Sequence, residues 1–172
     1  MKKFFMIILV ASQVIFGSEE SNAQTTLGGG LAYGTEIESI GIHATGQYFI
    51  NDNMAITPSI LYYFPRELVE GFNYKWFEIN ANGSYYFITD ESMNVYALAG
   101  LNIAIISFPF LDFSSVFGGD ANNSSTTKVG LNIGIGADFD IGSNITPFGQ
   151  LRYNLSSFDQ LAIEAGVRFP LQ

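Results

Sequence analysis

From residue 40 onward the chain alternates. Ile40, Ile42, Ala44, Tyr48 and Ile50 are apolar, and Gly41, His43, Thr45 and Gln47 fall between them. Neighbouring residues of a strand point to opposite faces, so this pattern describes a strand with one apolar and one polar face. Residues 76–87 repeat it, with Phe77, Ile79, Ala81, Tyr85 and Phe87 opposite Glu78, Asn80, Asn82 and Ser84. Residues 130–139 set Leu131, Ile133, Ile135, Ala137 and Phe139 against Asn132, Gly134, Gly136 and Asp138. The last segment sets Leu161, Ile163, Ala165, Val167, Phe169 and Leu171 against Ala162, Glu164, Gly166 and Arg168. No helical period of comparable length appears after residue 23. Eight strands are predicted, over about 26–35, 39–50, 54–64, 74–88, 93–107, 126–139, 145–155 and 160–171.

The connections differ in kind. Asn51–Asn53, Thr89–Ser92 and Asp140–Asn144 carry compact turn chemistry. The others are more varied: one holds Arg66 to Asn73, and another runs from Phe108 to about Ser125. Short turns at one end and longer loops at the other describe an up-and-down barrel. An even strand count puts both chain ends at the short-turn side. Pro147 stands near a strand start, where a missing donor is tolerated, whereas Pro58 stands mid-strand and predicts a bulge.

Composition decides which face meets water. Only 13% of residues are charged, where a water-facing surface carries roughly 25–35%. The polar faces hold Gly, Asn, Thr, Ser and Gln, which suits an enclosed interior. The apolar faces then meet lipid, and strands of about 9–11 residues are long enough to cross it. Tyr48, Tyr85, Phe87, Phe139 and Phe169 lie toward the short turns, and Tyr33, Tyr62, Phe64, Phe77 and Tyr153 toward the long loops. Two aromatic girdles around an apolar band are the expected exterior of a transmembrane barrel. The predicted fold is thus all-β, an eight-stranded antiparallel up-and-down transmembrane barrel.

The first segment reads as an address. Lys2 and Lys3 precede the apolar run Phe4–Val10, and Ser21-Asn22-Ala23 offers small residues at a cleavage site. Residues 1–23 are read as a signal peptide and 24–172 as one barrel domain. With no Cys, disulfides and Cys-ligated metals are excluded. A net charge of −9 gives no basic excess to neutralise phosphates, so nucleic acid is not expected as a partner.

Over residues 24–172 the chain resembles the small eight-stranded outer-membrane barrels of diderm bacteria, the OmpA/OmpX-like transmembrane domains. The most specific piece is Glu164-x-Gly166-x-x-Phe169-x-Leu171, which looks like the C-terminal signal read by the barrel-assembly machinery. Members usually end on an aromatic residue, and this chain departs from that with Phe169-Pro170-Leu171-Gln172. The resemblance implies an outer-membrane location after export, contact with outer-membrane lipid and a monomer; no peptidoglycan-binding domain is expected, because the last strand runs to the end of the sequence. It does not specify an activity.

An eight-stranded barrel has room inside for side chains alone. Gly28, Gly30, Ala32, Gly100, Gly134, Gly136 and Gly166 would leave space there, and Tyr96, Phe148, Glu78, Arg152, Glu164 and Arg168 would fill it. Enclosed charges need partners. With the last hairpin closing near residue 158, Arg152 faces Glu164, and Glu78, Asp138 and Arg168 are candidate members of one structural network. His43 is the single histidine; no Ser stands two residues on, so it is read as a packed interior residue rather than a catalytic base. No catalytic, cofactor or metal site is expected. Gly28-Gly29-Gly30 lacks the Lys-Ser/Thr ending and the helix of a phosphate loop.

Two outer features remain. Glu36, Glu38, Glu67, Glu70, Asp112, Asp120 and Asp159 fall on or beside the loops, either as solvated charge or as oxygen ligands for a divalent cation. Phe108, Phe110, Phe113 and Phe117 sit in the longest loop, where aromatic residues mark a contact site for an extracellular partner or fold back onto the barrel mouth. The expected function is non-enzymatic, structural or loop-mediated surface contact. Its rivals are a small porin-like channel, a lipid-modifying enzyme with His43 at the lipid-facing rim, and a soluble lipocalin-like binder with Ile42, Ile79 and Ile133 turned inward.

Overall fold

The computed structural model describes residues 25–69, 72–108, 124–157 and 159–171. Its strands are β1 (Thr25–Gly34), β2 (Ser39–Asn51), β3 (Met54–Val69), β4 (Phe72–Thr89), β5 (Met93–Phe108), β6 (Ser124–Phe139), β7 (Thr146–Leu155) and β8 (Gln160–Leu171). Each pairs antiparallel with the next, and β8 returns to β1 to close the barrel. Residues 1–23, expected to be a signal peptide, lie outside the described residues.

Alternation is carried through to the surface. Ile42 and Ile133 are each 49% exposed, while Glu78 and Asn80 are 1% exposed. The apolar set therefore points outward and the polar set inward, the reverse of what a soluble ligand-binding barrel needs. Tyr33, Phe64, Tyr85, Phe87, Phe139 and Phe169 are all exposed on the outer face, placed as two girdles at the two ends.

Two details depart from expectation. The stretch Arg66–Asn73 is not a plain loop, because β3 continues to Val69 and β4 begins at Phe72. Register shifts between Tyr63 and Arg66, and between Glu67 and Val69, let the ladder continue past the break in alternation. Pro58 makes no bulge either. The β2–β3 ladder pairs Thr45 with Ser59 and then Tyr48 with Ile56, the same offset on both sides of a gap. Proline has no N–H to give. The Thr45 hydroxyl lies 3.3 Å from the carbonyl oxygens of both Gly46 and Pro58 and donates there instead.

Strand lengths are unequal. β3–β6 run to 16–18 residues, and β1, β2, β7 and β8 to 10–13. At the long-loop end β2 first pairs with β3 at Gly41 and Tyr63, and β7 with β6 at Leu155 and Leu131. β5 and β6 stay paired out to Phe108 and Ser124. The outer parts of β3–β6 thus extend past the rim as a wall.

The bore is layered. Ala32, Leu61, Tyr63, Trp76, Ala104 and Ile106 cluster at the long-loop end, with Ile37 packed against them. Ala55, Tyr86, Tyr96 and Leu98 cluster toward the short turns. Between them the filling is polar. The β1–β8 seam is tightest at its middle, where Gly30 pairs with Gly166. A Cβ on Gly30 would overlap the Ala165 carbonyl, and one on Gly136 would overlap the Tyr96 ring.

Candidate functional site

Arg152 on β7 is the centre of the polar layer and is 1% exposed. Its Nε donates to Glu164 Oε1 at 2.9 Å, and its Nη2 to Glu78 Oε2 at 2.9 Å. Its Nη1 donates to the side-chain oxygens of Asn80 and Asn132, each at 3.2 Å. Glu78 also accepts from the Trp76 indole at 2.9 Å and from Asn102 at 3.1 Å. Arg152 does not face Glu164 directly. It pairs with Ala162, while Gln150 pairs with Glu164, because the last hairpin closes around Ser157 with Asn154 opposite Gln160. The long arginine reaches the carboxylate along the diagonal.

Asparagines surround this centre. Asn102 donates to Asn80 at 2.7 Å, and Asn132 donates to Asn80 and Asn82 at 2.9 Å each. Asn154 donates to Asn132 at 3.3 Å. Amides can donate and accept at once, so they spread the hydrogen bonding of one buried cation around β4–β7. Their polar-face positions were visible in the sequence, but their convergence depends on cross-strand register.

Arg168 and Asp138 are not in that cluster. They pair with each other nearer the short turns. Arg168 Nη2 donates to the Tyr96 hydroxyl at 3.1 Å, and its guanidinium lies 3.9 Å above the Phe148 ring centre. Tyr86 donates to Asp138 at 2.7 Å. Gln150 joins the two clusters, accepting from Tyr96 at 3.0 Å and donating to Glu164 at 2.7 Å.

His43 is 7% exposed and faces the bore. Its Nδ1 lies 3.5 Å from Glu164 Oε2, and its ring meets Phe148 edge-on at 5.6 Å. It lines a cavity of about 10 Å³ with Thr45, Thr57, Ser59, Asn82 and Ser84. That space suits about one water molecule. His43 is therefore beside a carboxylate, but away from the lipid-facing rim.

The remaining candidates divide. Phe108 ends β5 with its side chain outside the described residues, and Phe110, Phe113 and Phe117 lie outside them altogether. In the assembly signal, Glu164 and Gly166 face the bore, while Phe169 and Leu171 are 46% and 50% exposed on the outer face. Among the acidic loop residues, Glu36, Glu38 and Asp159 are described, and Glu67 lies in β3 with its side chain outside the described residues. Among the described residues no group of three His, Asp or Glu converges as a metal site.

No family model and no curated protein matches the sequence. Solved structures do. Neisserial surface protein A aligns with a TM-score of 0.67 at 18% identity, over 90% of this chain and 100% of that one. The N-terminal β-barrel domain of Pseudomonas aeruginosa OprF aligns at 0.63 and 16%, over 87% and 100%. Ail, the attachment invasion locus protein of Yersinia pestis, solved with the heparin analogue sucrose octasulfate, aligns at 0.62 and 15%, over 87% and 99%. Closed eight-stranded topology, an apolar exterior with two girdles and a filled polar bore agree with these likenesses: the chain has the fold of the small eight-stranded outer-membrane β-barrels.

Proposed function

We propose that the protein is a non-enzymatic, monomeric barrel of the bacterial outer membrane, a sealed anchor that makes surface contacts through its outer extension. The observation that carries this reading is the continuous hydrogen-bonded filling of the bore. It runs from Gln47 through Tyr86, Asp138, Arg168, Tyr96, Gln150, Glu164, Arg152 and Asn132 to Asn154. A conducting path would have to break these bonds and pass the Leu61, Tyr63, Trp76 and Ile106 layer. A lipid-modifying site is disfavoured by the placing of His43 inside the bore, where a lipid ester has no room.

The outer end supports the contact role and narrows its partner. There β3–β6 present an extended wall, and the sequence joining β5 to β6 carries Phe110, Phe113 and Phe117. Of seven Lys and Arg, Lys2 and Lys3 belong to the leader and Arg152 and Arg168 are enclosed. That leaves Arg66, Lys75 and Lys128 against the seven acidic loop residues named above. A sulfated sugar of the kind bound to Ail is a poor match for that balance, and a neutral or basic protein surface is a better one. Glu164, Gly166, Phe169 and Leu171 are assigned to recognition by the barrel-assembly machinery during biogenesis.

Insertion of folded protein into planar bilayers tests the sealed bore. No steady conductance step is expected, and reproducible ohmic steps would replace this reading with the small channel. For the contact role, cells displaying the protein should lose adhesion when residues 109–123 are replaced by a short Gly-Asn linker. Unchanged adhesion would remove that half of the proposal.

A further inference from the structure

The outer face is not uniformly convex. An apolar groove of about 480 Å³ runs along β1–β3 on the lipid side. Leu27, Ala44, Gly46, Tyr48, Pro58 and Ile60 line it. It begins at Thr25 and Leu171, by the short-turn girdle, and ends at Ile79 near the middle of the barrel. Ala44 to Tyr48 covers about 13 Å at a strand rise of about 3.3 Å per residue. With the strands tilted by about 45°, that projects to roughly 9 Å along the normal, within one leaflet of a hydrocarbon layer of about 30 Å.

The groove is not a by-product of tight packing within the barrel. Glycines facing the bore have no room for a side chain, as at Gly30 and Gly136 above. Gly46 is different: a Cβ there would meet nothing nearer than the Pro58 ring at 3.5 Å. Pro58 adds to the recess, since the β2–β3 ladder is open beside it. The barrel's own packing would therefore accept a larger residue at Gly46, and the groove would then be filled.

We propose that this groove seats one acyl chain of a phospholipid in the leaflet at the short-turn end. The occupant follows from position and shape. The groove lies between the two girdles, where the surrounding medium is hydrocarbon. It lies within one leaflet and is open toward the girdle where a headgroup would sit. A second copy related by a two-fold axis would set groove against groove and leave a void between the barrels, losing the contacts that close packing supplies. A flexible chain fills the recess without that penalty. The seat is independent of whether the bore conducts, because it opens on the lipid side of the strands.

The test is native mass spectrometry of protein extracted from dipalmitoyl-phosphatidylethanolamine vesicles. Wild type is expected to keep one phospholipid per barrel. Gly46→Leu should lower the retained fraction at least fivefold. Gly149→Leu should leave it unchanged, because Gly149 is an outward glycine on β7, away from the groove, where a Cβ has 3.9 Å of clearance. A heat-modifiable gel shift verifies folding of each variant, and Ala44→Leu fills the same groove should Gly46→Leu not fold. Equal retention in wild type and the filled variants, no lipid on wild type, an equal loss in Gly149→Leu, or the mass of a dimer would each overturn the proposal.

Discussion

The two arginines of the bore are buried alike, at 1% and 2% exposure, yet they are held in different ways. Arg152 meets two carboxylates and two amides through all three of its nitrogens. Arg168 meets one carboxylate and one phenol, and lies over an aromatic ring. One is saturated by acceptors fixed on β4, β6 and β8. The other combines one ion pair with a cation–π contact, which is softer and tolerates displacement. A buried cation can thus be stabilised by charge and amide or by charge and ring, and the two solutions should fail differently.

The largest effect is expected for Arg152→Met, which leaves Glu78 and Glu164 enclosed without a cation. Urea unfolding in lipid vesicles should show a loss of about 3–5 kcal/mol. Arg168→Met leaves Asp138 alone, still bonded to the Tyr86 hydroxyl, and Met fills much of the vacated space. Its loss should be smaller, roughly 2 kcal/mol. Equal losses at the two sites would break the comparison. Adding Asp138→Asn to Arg168→Met removes the stranded charge and should restore about 1 kcal/mol relative to the single variant. An additive double loss would mean that Asp138 and Arg168 are not a coupled pair.

The sequence made the strands legible wherever one face was consistently apolar. β2, β5 and β8 fall within a residue or two of where alternation put them. The end of β3 was harder, because Leu61-Tyr62-Tyr63-Phe64 is apolar on both faces. The same stretch hides the inner apolar layer. Leu61, Tyr63, Trp76 and Ile106 occupy inward positions that a uniformly polar interior would fill otherwise. Arg152 and Glu164 were readable as neighbours because one short hairpin separates them. Asn132 and Asn80 were not, being 52 residues apart on strands that do not pair directly. The division of the charged residues into two clusters joined by Gln150 depends on the same non-local register.

The pairing of β1 with β8, with Gly30 opposite Gly166 at its middle, has a consequence for the order of assembly. These strands are the first and last of the barrel, so their pairing closes the largest loop and carries the highest entropic barrier. At the middle of the join Gly30 and Gly166 add little strand preference and no side chains to interlock, so cross-strand contact is left to outer pairs such as Leu27 with Phe169 and Tyr33 with Ile163. The hairpins β2–β7 can form as local units, each secured by its own turn. The β1–β8 join is then the last to zip shut and the first to part, a built-in line along which the cylinder opens into a sheet.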